Sequence, residues 1–422
     1  MWASRARFAS SLVNMACQGK QKVAVGISGG VDSAVAALLL QKQGYDVTGV
    51  FMRNWDEREE TGNSNCSIEA DFRQAEKVCS SLSIDLLEAN FVSKYWDDVF
   101  MNFLDRLRQG STPNPDLDCN RFIKFSAFTD FAFDKGFDKV ATGHYARISH
   151  TATNQLLLTG MDKNKDQSYF LASINPRILQ HVLFPLGDMK KAQVRRIAEA
   201  HNLPPADRKS STGICFIGNR NFKDFISGYI ETVEGRFVDI DSGKDLGQCP
   251  NIFAYTYGQR PGIGGLPKKT YVVGKNISER LVYVAQGRDH DALYTRKARI
   301  SELHWLSNTH HQTFQEVHEL DCYFKARYRQ KKSPCTLRMK FPDLSLAAPS
   351  SYWSLEGDQQ WSNMVEFQFP AFAITPQQAI VFYDGDICIA SATIVSPCAT
   401  LHELDDSRVL QGYTSSRIIG SP

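Results

Sequence analysis

The chain has 422 residues, enough for two or three domains that each bury a core. With 42% hydrophobic residues, 22% charged residues and a net charge of +2, it has the composition of an ordinary globular protein. No apolar run reaches the roughly 18 residues of a membrane span. The overall charge does not by itself point to a nucleic-acid partner, so any such site must be a local patch. The ten cysteines are scattered without a Cys-x-x-Cys pair, which favours reduced thiols over disulfides or a zinc site.

The first 22 residues differ from the rest of the chain. They contain Arg5, Arg7, Lys20, Lys22 and several serines, but no acidic residue. This composition is typical of an organellar transit peptide, and a disordered tail is the alternative. We therefore expect residues 1–21 to be a mitochondrial transit peptide and the protein to act in the mitochondrial matrix.

Strands and helices alternate from Lys22 to Thr142, which predicts an α/β fold with a doubly wound parallel sheet. Apolar runs predict the strands, and apolar positions at helical spacing predict the helices. Ligands of such sheets bind beyond the carboxyl ends of the strands, where residues 28–33, Met52 and Gly143 fall. The predicted strands are 22–27, 46–52, 84–89 and 139–142, and the predicted helices are 34–43, 68–82, 95–107 and 120–135.

The pattern changes after Gly218. A hairpin-like turn and two strands predict a small mixed α/β domain, and from Arg288 onward short strands rich in β-branched and aromatic residues predict an all-β barrel. The predicted division is a leader at 1–21, a parallel-sheet domain at 22–217, a central domain at 218–287, a barrel at 288–400 and a tail at 401–422.

Residues 26–33, with the sequence GISGGVDS, join the first strand to the first helix. Adjacent glycines let backbone N–H groups point into one concavity, and the helix N-terminus adds partial positive charge. This predicts a phosphate-binding loop. The loop lacks the Gly-Lys-Ser/Thr ending of a Walker A motif, so it carries no lysine for a γ-phosphate, and it lacks the dinucleotide spacing Gly-x-Gly-x-x-Gly. Asp32 or Ser33 is the predicted cap of the helix that follows. An ordinary tight strand-to-helix turn is the alternative to a phosphate site.

Two cysteines lie in surroundings that favour a reactive thiol. Cys119 follows a rigid loop with two prolines at the expected start of a helix, where the helix dipole favours a thiolate. Cys215 lies between glycines, shortly after Arg208 and Lys209, and neighbouring cations lower the pKa of a thiol. The alternative for each is a buried, inert cysteine. Together with the phosphate-binding loop, the two thiols suggest a reaction in which ATP activates an oxygen, which a thiol-borne sulfur then replaces.

Basic residues concentrate in the predicted barrel, where residues 323–340 contain no acidic residue. Strand alternation would place Lys325, Arg327 and Arg329 on one side, where they would follow a phosphate backbone, and a solvated strand face is the alternative. A basic helix would extend this surface. Its basic residues are Lys190, Lys191, Arg195 and Arg196.

The order of the motifs resembles a known family. The chain contains GISGGVDSAV, GVFMRNW, TPNPDLDCNRFIKF, ATGHYAR, KDQSYFL, STGICFIG, YGQRPGIGGL, ARYRQ and TPQQAIVFYDG. The first motif resembles the PP-loop of the ATP pyrophosphatases, which split ATP between its α- and β-phosphates. The series, from about Lys22 to Ile394, resembles the tRNA-specific 2-thiouridylases, which make 2-thiouridine at the wobble position of tRNA. With its leader, the chain resembles the mitochondrial form, whose substrates are the tRNAs for lysine, glutamate and glutamine.

The resemblance implies a role for each matching residue. ATP and Mg²⁺ are the implied cofactors, and Asp32 would serve the Mg²⁺-pyrophosphate chemistry. The target uracil would be held by Asn114, Pro115 and Asp116. The implied ATP-binding residues are Gly26, Ile27, Ser28, Gly29, Gly30, Val31, Asp32, Ser33, Met52 and Gly143. The implied tRNA contacts, in the barrel and elsewhere, are His144, Lys165, Asp166, Gln167, Arg327, Tyr328 and Gln378.

The implied reaction is ATP-dependent sulfur transfer. The uracil O2 would attack the α-phosphate of ATP, and sulfur from a persulfide on Cys215, supplied through a cysteine desulfurase, would then displace AMP. Cys119 would free that sulfur as a nucleophile, leaving a Cys119–Cys215 disulfide in one version of the mechanism. We expect a monomer without a protein-bound metal site. One departure is that many family members have Pro-Gly-Gln where this chain has Pro376-Gln377-Gln378.

Two other classes of function remain open. A PP-loop ligase or amidotransferase would adenylate its substrate and transfer nitrogen, so it would need an amine donor and no thiols. A non-catalytic tRNA-binding protein would use the loop only to sense a nucleotide. Release of AMP and pyrophosphate, and its dependence on cysteine, separates these possibilities.

Overall fold

The computed structural model describes residues 20–55, 67–150, 155–204, 222–339, 350–351, 353–354 and 363–404. The chain divides into two compact units. The first comprises Met1–Phe91, Ala127–His144 and Gln180–Ser210, and the second comprises Val92–Ser126, Tyr145–Leu179 and Ser211–Pro422. The predicted leader, except residues 20 and 21, and most of the predicted tail lie outside the described residues.

The strands are numbered in chain order. They are β1 Lys22–Gly26, β2 Asp46–Arg53, β3 Leu86–Asn90, β4 Lys139–Ala141, β5 Ala146–His150, β6 Gln155–Thr159, β7 Val182–Leu183, β8 Gly235–Asp239, β9 Asp245–Cys249, β10 Thr270–Asn276, β11 Leu281–Gln286, β12 Tyr294–Ile300, β13 His304–Trp305, β14 Glu319–Lys325, β15 Ser333–Met339, β16 Trp353–Ser354, β17 Asn363–Phe372, β18 Ala379–Asp384 and β19 Ile387–Pro397.

The helices are named by their bounds. The α-helices are Val31–Lys42, Ser67–Leu82, Val92–Tyr95, Asn102–Arg108, Pro115–Asp118, Phe128–Asp134, Ser168–Leu171, Lys191–Ala200, Phe222–Ser227 and Asn308–Val317. Trp96–Met101 and Cys119–Ala127 are π-helical, and Pro176–His181, Ile252–Ala254 and Asp291–Leu293 are 3₁₀-helical. None of the helices among the described residues is long and apolar enough to cross a membrane.

The first unit contains a five-stranded parallel sheet in the order β3-β2-β1-β4-β7. Every residue of β1 after Lys22 is buried, because the strand lies in the centre of the sheet. From β1 the chain continues to β2 on one side, whereas β4 lies on the other, so the carboxyl end of β1 is the switch point where such sheets bind ligands. The predicted doubly wound parallel sheet is confirmed.

The first helix begins earlier than its apolar pattern predicts. It spans Val31–Lys42, and its N-cap is Gly30 in an extended conformation without a side-chain cap. The predicted cap by Asp32 or Ser33 is therefore wrong. The hydroxyl of Ser33 donates to the carbonyl of Gly30 at 3.0 Å, and the carboxylate of Asp32 pairs with Lys191. Both side chains lie inside the first turn and bond to groups other than the N-cap amides.

The helix expected at about residue 120 also begins earlier. Asn114 is its N-cap, accepting from the N–H of Asp116 at 3.2 Å, and Pro115 occupies the first helical position. Cys119 opens the π-helical segment one turn further on and is buried. Cys119 thus lies at the start of the predicted segment, but the turn Pro115–Asp118 precedes it, and its N–H is already bonded to the carbonyls of Pro115 and Asp116. The helix dipole therefore supports its thiol less than the sequence predicts.

The second unit contains two sheets. One is a mixed five-stranded sheet in the order β16-β10-β11-β8-β9. In the other, β12, β17, β15, β14, β18 and β19 pair in an antiparallel ring that closes because β12 pairs with both β17 and β19. This is the predicted barrel. The β5–β6 hairpin joins it through the pairing of Leu158 with Ile387, although the predicted boundary assigned that segment to the parallel-sheet domain.

Lys275 on β10 is fully buried. Its ammonium donates to the carbonyl of Gly110 at 3.3 Å, next to the segment that leads to Asn114. Burial lowers the pKa of Lys275 from 10.5 to about 8, and the neighbouring Cys249 opposes this only in part. Near neutral pH a desolvated positive charge therefore opposes folding.

We expect Lys275→Met to raise the free energy of unfolding near pH 7, by up to about 3 kcal/mol, because the charged amine no longer has to be desolvated. The pKa of Lys275 is lower in the folded chain, so the wild type gains stability as the pH rises from about 8 towards the ordinary lysine value of 10.5. Denaturant unfolding should show that the stability advantage of Lys275→Met over the wild type is smaller at pH 9.5 than at pH 7. Lys269→Met, at an exposed position, is the control. A pH-independent loss of stability would contradict this assignment.

Candidate functional site

The turn after β1 is closed by its own hydrogen bonds. The N–H of Ser28 donates to the hydroxyl of Ser33 at 3.2 Å, and that hydroxyl donates to the carbonyl of Gly30 at 3.0 Å. Gly29 has φ +71°, and a Cβ there would come within 2.9 Å of the carbonyl oxygen of Asp71. Only glycine fits this position, and the turn leads directly into the first-turn N–H groups of a helix.

Met52 and Gly143 pack against the same turn. A Cβ on Gly26 would meet the methyl group of Met52 at 2.9 Å, and a Cβ on Gly143 would lie 2.8 Å from the backbone of Asp32. The structure thus brings together all the predicted ATP-binding residues. A side-chain-free cradle at a helix N-terminus and at the switch point of the sheet fits a nucleotide phosphate chain.

Lys191 supplies a positive charge that the loop sequence lacks. Its ammonium lies 2.7 and 2.6 Å from the two carboxylate oxygens of Asp32, and its side chain is only 13% exposed. The basic pattern of its helix placed Lys191 on an RNA-binding surface, and this contact was missed. A signal was available, because Lys191 opens the helix that follows β7, and helices that follow parallel strands begin at the carboxyl edge of the sheet.

The second unit contains a cavity of about 320 Å³. Its walls include Asn114, Pro115 and Asp116, predicted to hold uracil, together with Tyr328 and Gln378, predicted to contact tRNA. Burial raises the pKa of Asp116, and Lys124 lowers it to a smaller extent. The sequence motifs did not predict the aromatic walls of the cavity. They are Phe103, Phe170, Phe222 and Phe253.

At Pro376-Gln377-Gln378, where many family members have Pro-Gly-Gln, the backbone still has the conformation that glycine prefers. Gln377 has φ +65°, a left-handed conformation that glycine adopts without strain. Its N–H donates to the carbonyl of Ile394 at 2.8 Å, and the side-chain amide of Gln378 donates to the carbonyl of Thr112 at 2.5 Å. Gln378 therefore reaches the cavity through a left-handed turn formed without glycine.

Several predicted tRNA contacts also hold the protein backbone. Asp166 is buried and accepts from the N–H groups of Gly160 and Ser168 at 3.0 and 3.1 Å. Gln167 accepts from the N–H of Tyr145 at 2.9 Å, and Lys165 is half-buried. Their contacts with tRNA remain predictions.

The expected outward row of cations in the barrel is wrong. Lys325 is buried, with its ammonium 3.6 Å from the carboxylate of Asp166. Arg327 donates to the carbonyls of Phe372 and Ala373 at 3.2 and 2.5 Å. Lys325 lies within β14, and its pairing with the buried Asp166 outweighs strand alternation. Arg327 lies beyond the end of the strand, where alternation no longer applies.

His144 and the two candidate thiols complete the predicted set. His144 is 8% exposed, and its Nδ1 lies 2.8 Å from the hydroxyl of Thr142. Cys119 is 1% exposed and does not line the cavity. Cys215 lies outside the described residues, so a meeting of the two sulfurs remains a prediction.

One group of side chains has the composition of a metal site. Asp241 lies 3.0 Å from Nε2 of His290 and 3.2 Å from Nε2 of His402. However, Nδ1 of His290 accepts the N–H of Ala292 at 3.1 Å, which leaves the ring proton of a neutral imidazole on Nε2. A metal at Nε2 would instead require the proton on Nδ1, so hydrogen bonding accounts better for this group.

The comparisons with protein families cover three parts of the chain. The family described as a tRNA methyl transferase HUP domain matches residues 21–219. A tRNA methyl transferase PRC-barrel domain matches residues 223–286, and an aminomethyltransferase beta-barrel domain matches residues 354–394. These descriptions mention methyl transfer, whereas the curated relatives are named for thiolation.

Three similar relatives are each named tRNA-specific 2-thiouridylase MnmA. The protein from Oceanobacillus iheyensis is 42% identical over 91% of this chain and 97% of its own. The protein from Streptococcus mutans is 43% identical over 90% and 96%, and that from Staphylococcus aureus strain JH9 is 44% identical over 88% and 95%. Among solved structures, an NMN synthetase from Francisella tularensis aligns with a TM-score of 0.28 at 17% identity, covering 54% of this chain and 88% of its own.

The fold and the loop define an enzyme with a HUP-type nucleotide domain, a central domain and a β-barrel. The level and extent of sequence identity identify its family. The chain belongs to the tRNA-specific 2-thiouridylase family, whose members are sulfurtransferase enzymes. This membership implies ATP as the nucleotide of the loop.

We expect Lys191→Ala to weaken ATP binding about tenfold, because the cation next to the phosphate loop is lost. Lys191→Arg should retain most of the affinity. Arg195→Ala, an exposed position on the same helix, is the matched control and should bind ATP like the wild type. Isothermal titration with ATP measures the effect, and equal affinities for Lys191→Ala and the control would refute the role of Lys191.

Proposed function

We propose that this protein makes 2-thiouridine at the wobble position of the mitochondrial tRNAs for lysine, glutamate and glutamine, as a monomer. Uracil O2 attacks the α-phosphate of ATP and releases pyrophosphate. A persulfide on Cys215, loaded through a cysteine desulfurase, then provides the sulfur that displaces AMP from C2. The observation that carries the proposal is the cradle formed by residues 26–33, Met52 and Gly143, in a chain 42–44% identical to named 2-thiouridylases.

The loop residues bind and orient the nucleotide in this proposal. The first-turn N–H groups after Gly30 face phosphate oxygens, and the carboxylate of Asp32 has the donor type that Mg²⁺ prefers. Lys191 balances the charge of Asp32, so that this carboxylate repels the phosphates and the leaving pyrophosphate less. ATP supplies the leaving group, whereas the protein supplies position and charge.

The cavity suits a base that has left the anticodon stack. Asn114 and Asp116 offer an amide, which donates and accepts, and carboxyl oxygens, which accept, to the polar edge of uracil. The rings of Phe170 and Tyr328 lie 4.6 Å apart, and aromatic faces of this kind stack with unpaired bases. Extruding a base costs least from single-stranded RNA, so an anticodon loop is a suitable substrate.

The two thiols divide the sulfur chemistry between them. The thiolate of Cys119 attacks the inner sulfur of the Cys215 persulfide, a Cys119–Cys215 disulfide forms, and the terminal sulfur leaves to attack C2 of the activated uracil. A thiol reductant then takes the disulfide back to two thiols before the next turnover. Because Cys119 is buried, its sulfur has to become accessible during the cycle.

We expect Cys119→Ser and Cys215→Ser each to abolish thiolation while tRNA binding is retained, because the sulfur has no other route to the base. Cys398→Ser is the control: burial raises the pKa of that thiol to about 11, which makes it unreactive near neutral pH. Product 2-thiouridine is measured by mass spectrometry, and affinity for tRNA by filter binding. Full activity in either of the first two variants would overturn the two-thiol mechanism.

We also expect loss of the protein in cells to remove wobble 2-thiouridine from the mitochondrial tRNAs for lysine, glutamate and glutamine and to leave cytosolic tRNAs unchanged. Nucleoside mass spectrometry of fractionated tRNA measures this directly. Re-expression of a chain that lacks residues 1–21 should fail to restore the modification in the organelle. Loss of cytosolic 2-thiouridine instead would refute the proposed location.

A further inference from the structure

One carboxylate in the second unit gathers three cations. Asp386 lies in the turn between β18 and β19, and its oxygens are 3.0 Å from Arg147, 3.0 Å from Lys163 and 3.4 Å from Lys332. The hydroxyl of Thr159 donates to the same carboxylate at 2.8 Å. Residues from distant parts of the sequence therefore meet at one point of the surface, which we call the Asp386 cluster (Arg147, Lys163, Lys332 and Asp386).

The cations of the cluster are held in place by more than Asp386. Arg147 also donates to the carbonyl of Thr159 at 2.8 Å. Lys332 donates to the carbonyl of Gly385 at 2.6 Å and lies 4.8 Å above the ring of Tyr383. Lys163 is 64% exposed, so its ammonium is open to a ligand. The cluster is thus preorganised while one of its cations faces solvent.

Cations outnumber carboxylates among the residues that define the cluster. Arg147, Lys163 and Lys332 all face Asp386. The nearby buried Asp166 faces Lys325 at 3.6 Å and also acts on Lys332. The pKa of Lys332 is lowered mainly by burial, Asp386 opposes this, and the charge of Lys163 lowers it further. Like charges held this close favour a bound anion.

We propose that the Asp386 cluster is a binding site for an RNA phosphodiester group of the tRNA substrate. This inference rests on the proposed function. It differs from the contacts implied by family resemblance, because none of the four residues of the cluster is among them.

A series of contacts links the loop of Lys163 to the wall of the cavity that suits the target base. Lys163 lies in the same loop as Asp166, which pairs with Lys325, and the ammonium of Lys325 lies 6.0 Å from the centre of the Tyr328 ring in the cavity wall. In the proposal, an RNA with one base in the cavity places a neighbouring phosphate at this cluster. Phosphate contacts of this kind set position and affinity without reading sequence.

The test is the salt dependence of tRNA binding by the full chain between 50 and 200 mM salt. We expect Lys163→Ala to weaken binding three- to tenfold at low salt and to lower the slope of log K against log salt by about one. Lys163→Glu should weaken it further, and Lys163→Arg should restore the wild-type slope. Lys94→Ala is the control, since Lys94 is exposed and pairs only locally with Asp98 at 2.8 Å among its described contacts.

Further readouts distinguish a phosphate contact from a purely structural role of Lys163. Because Lys163 is exposed, its replacement should leave the unfolding temperature unchanged, and thiolation should show a raised KM with unchanged kcat. Unchanged affinity and slope in Lys163→Ala and Lys163→Glu would overturn the proposal. Polyglutamate is an anionic polymer without phosphate, and binding of polyglutamate that depends on Lys163, while tRNA binding does not, would also overturn it. If the wild type failed to thiolate tRNA but the slope still changed, the proposed function would fall and the phosphate site would stand.

Discussion

The turn between β1 and the helix Val31–Lys42 imposes the strictest steric demand on the first unit. The backbone at Gly29 is left-handed, and no Cβ fits there against the carbonyl of Asp71. The Ser33 hydroxyl bonds to two backbone groups of the turn, which fixes the direction of the first helical N–H groups. Because these groups are set before any ligand arrives, phosphate binding does not have to order the loop.

Positive charge is distributed locally in a chain whose net charge is only +2. In each unit a carboxylate holds cations in place. Asp32 pairs with Lys191 in the first unit, and Asp386 pairs with Arg147, Lys163 and Lys332 in the second. An isolated surface lysine is flexible and strongly hydrated, so fixing its ammonium beside a carboxylate lowers the entropy cost of a later phosphate contact. The carboxylates thus serve the binding of anions, although they carry the same sign of charge.

The sequence predicts the parallel sheet, the glycine turn and the barrel well, because each depends on local periodicity or on backbone freedom. It fails where a side chain finds a distant partner. Lys191 and Asp32 are 159 positions apart, and the pairing of Leu158 with Ile387 that draws β5 and β6 into the barrel sheet spans still more of the chain. The prediction that Lys325 faces outward fails for a related reason, since its ion pair with the buried Asp166 outweighs strand alternation.

Cys119 shows what the sulfur chemistry demands of the fold. Its thiol is buried, and it opens a π-helical segment, Cys119–Ala127, in which Phe125 departs from helical geometry at φ −120° and ψ 21°. Widened turns are rarer and less stable than α-helix, and they are often found at functional sites. In the proposed two-thiol mechanism, the sulfur of Cys119 has to become accessible from a segment that is already irregular. A regular helix would have to lose well-formed hydrogen bonds to expose the same sulfur.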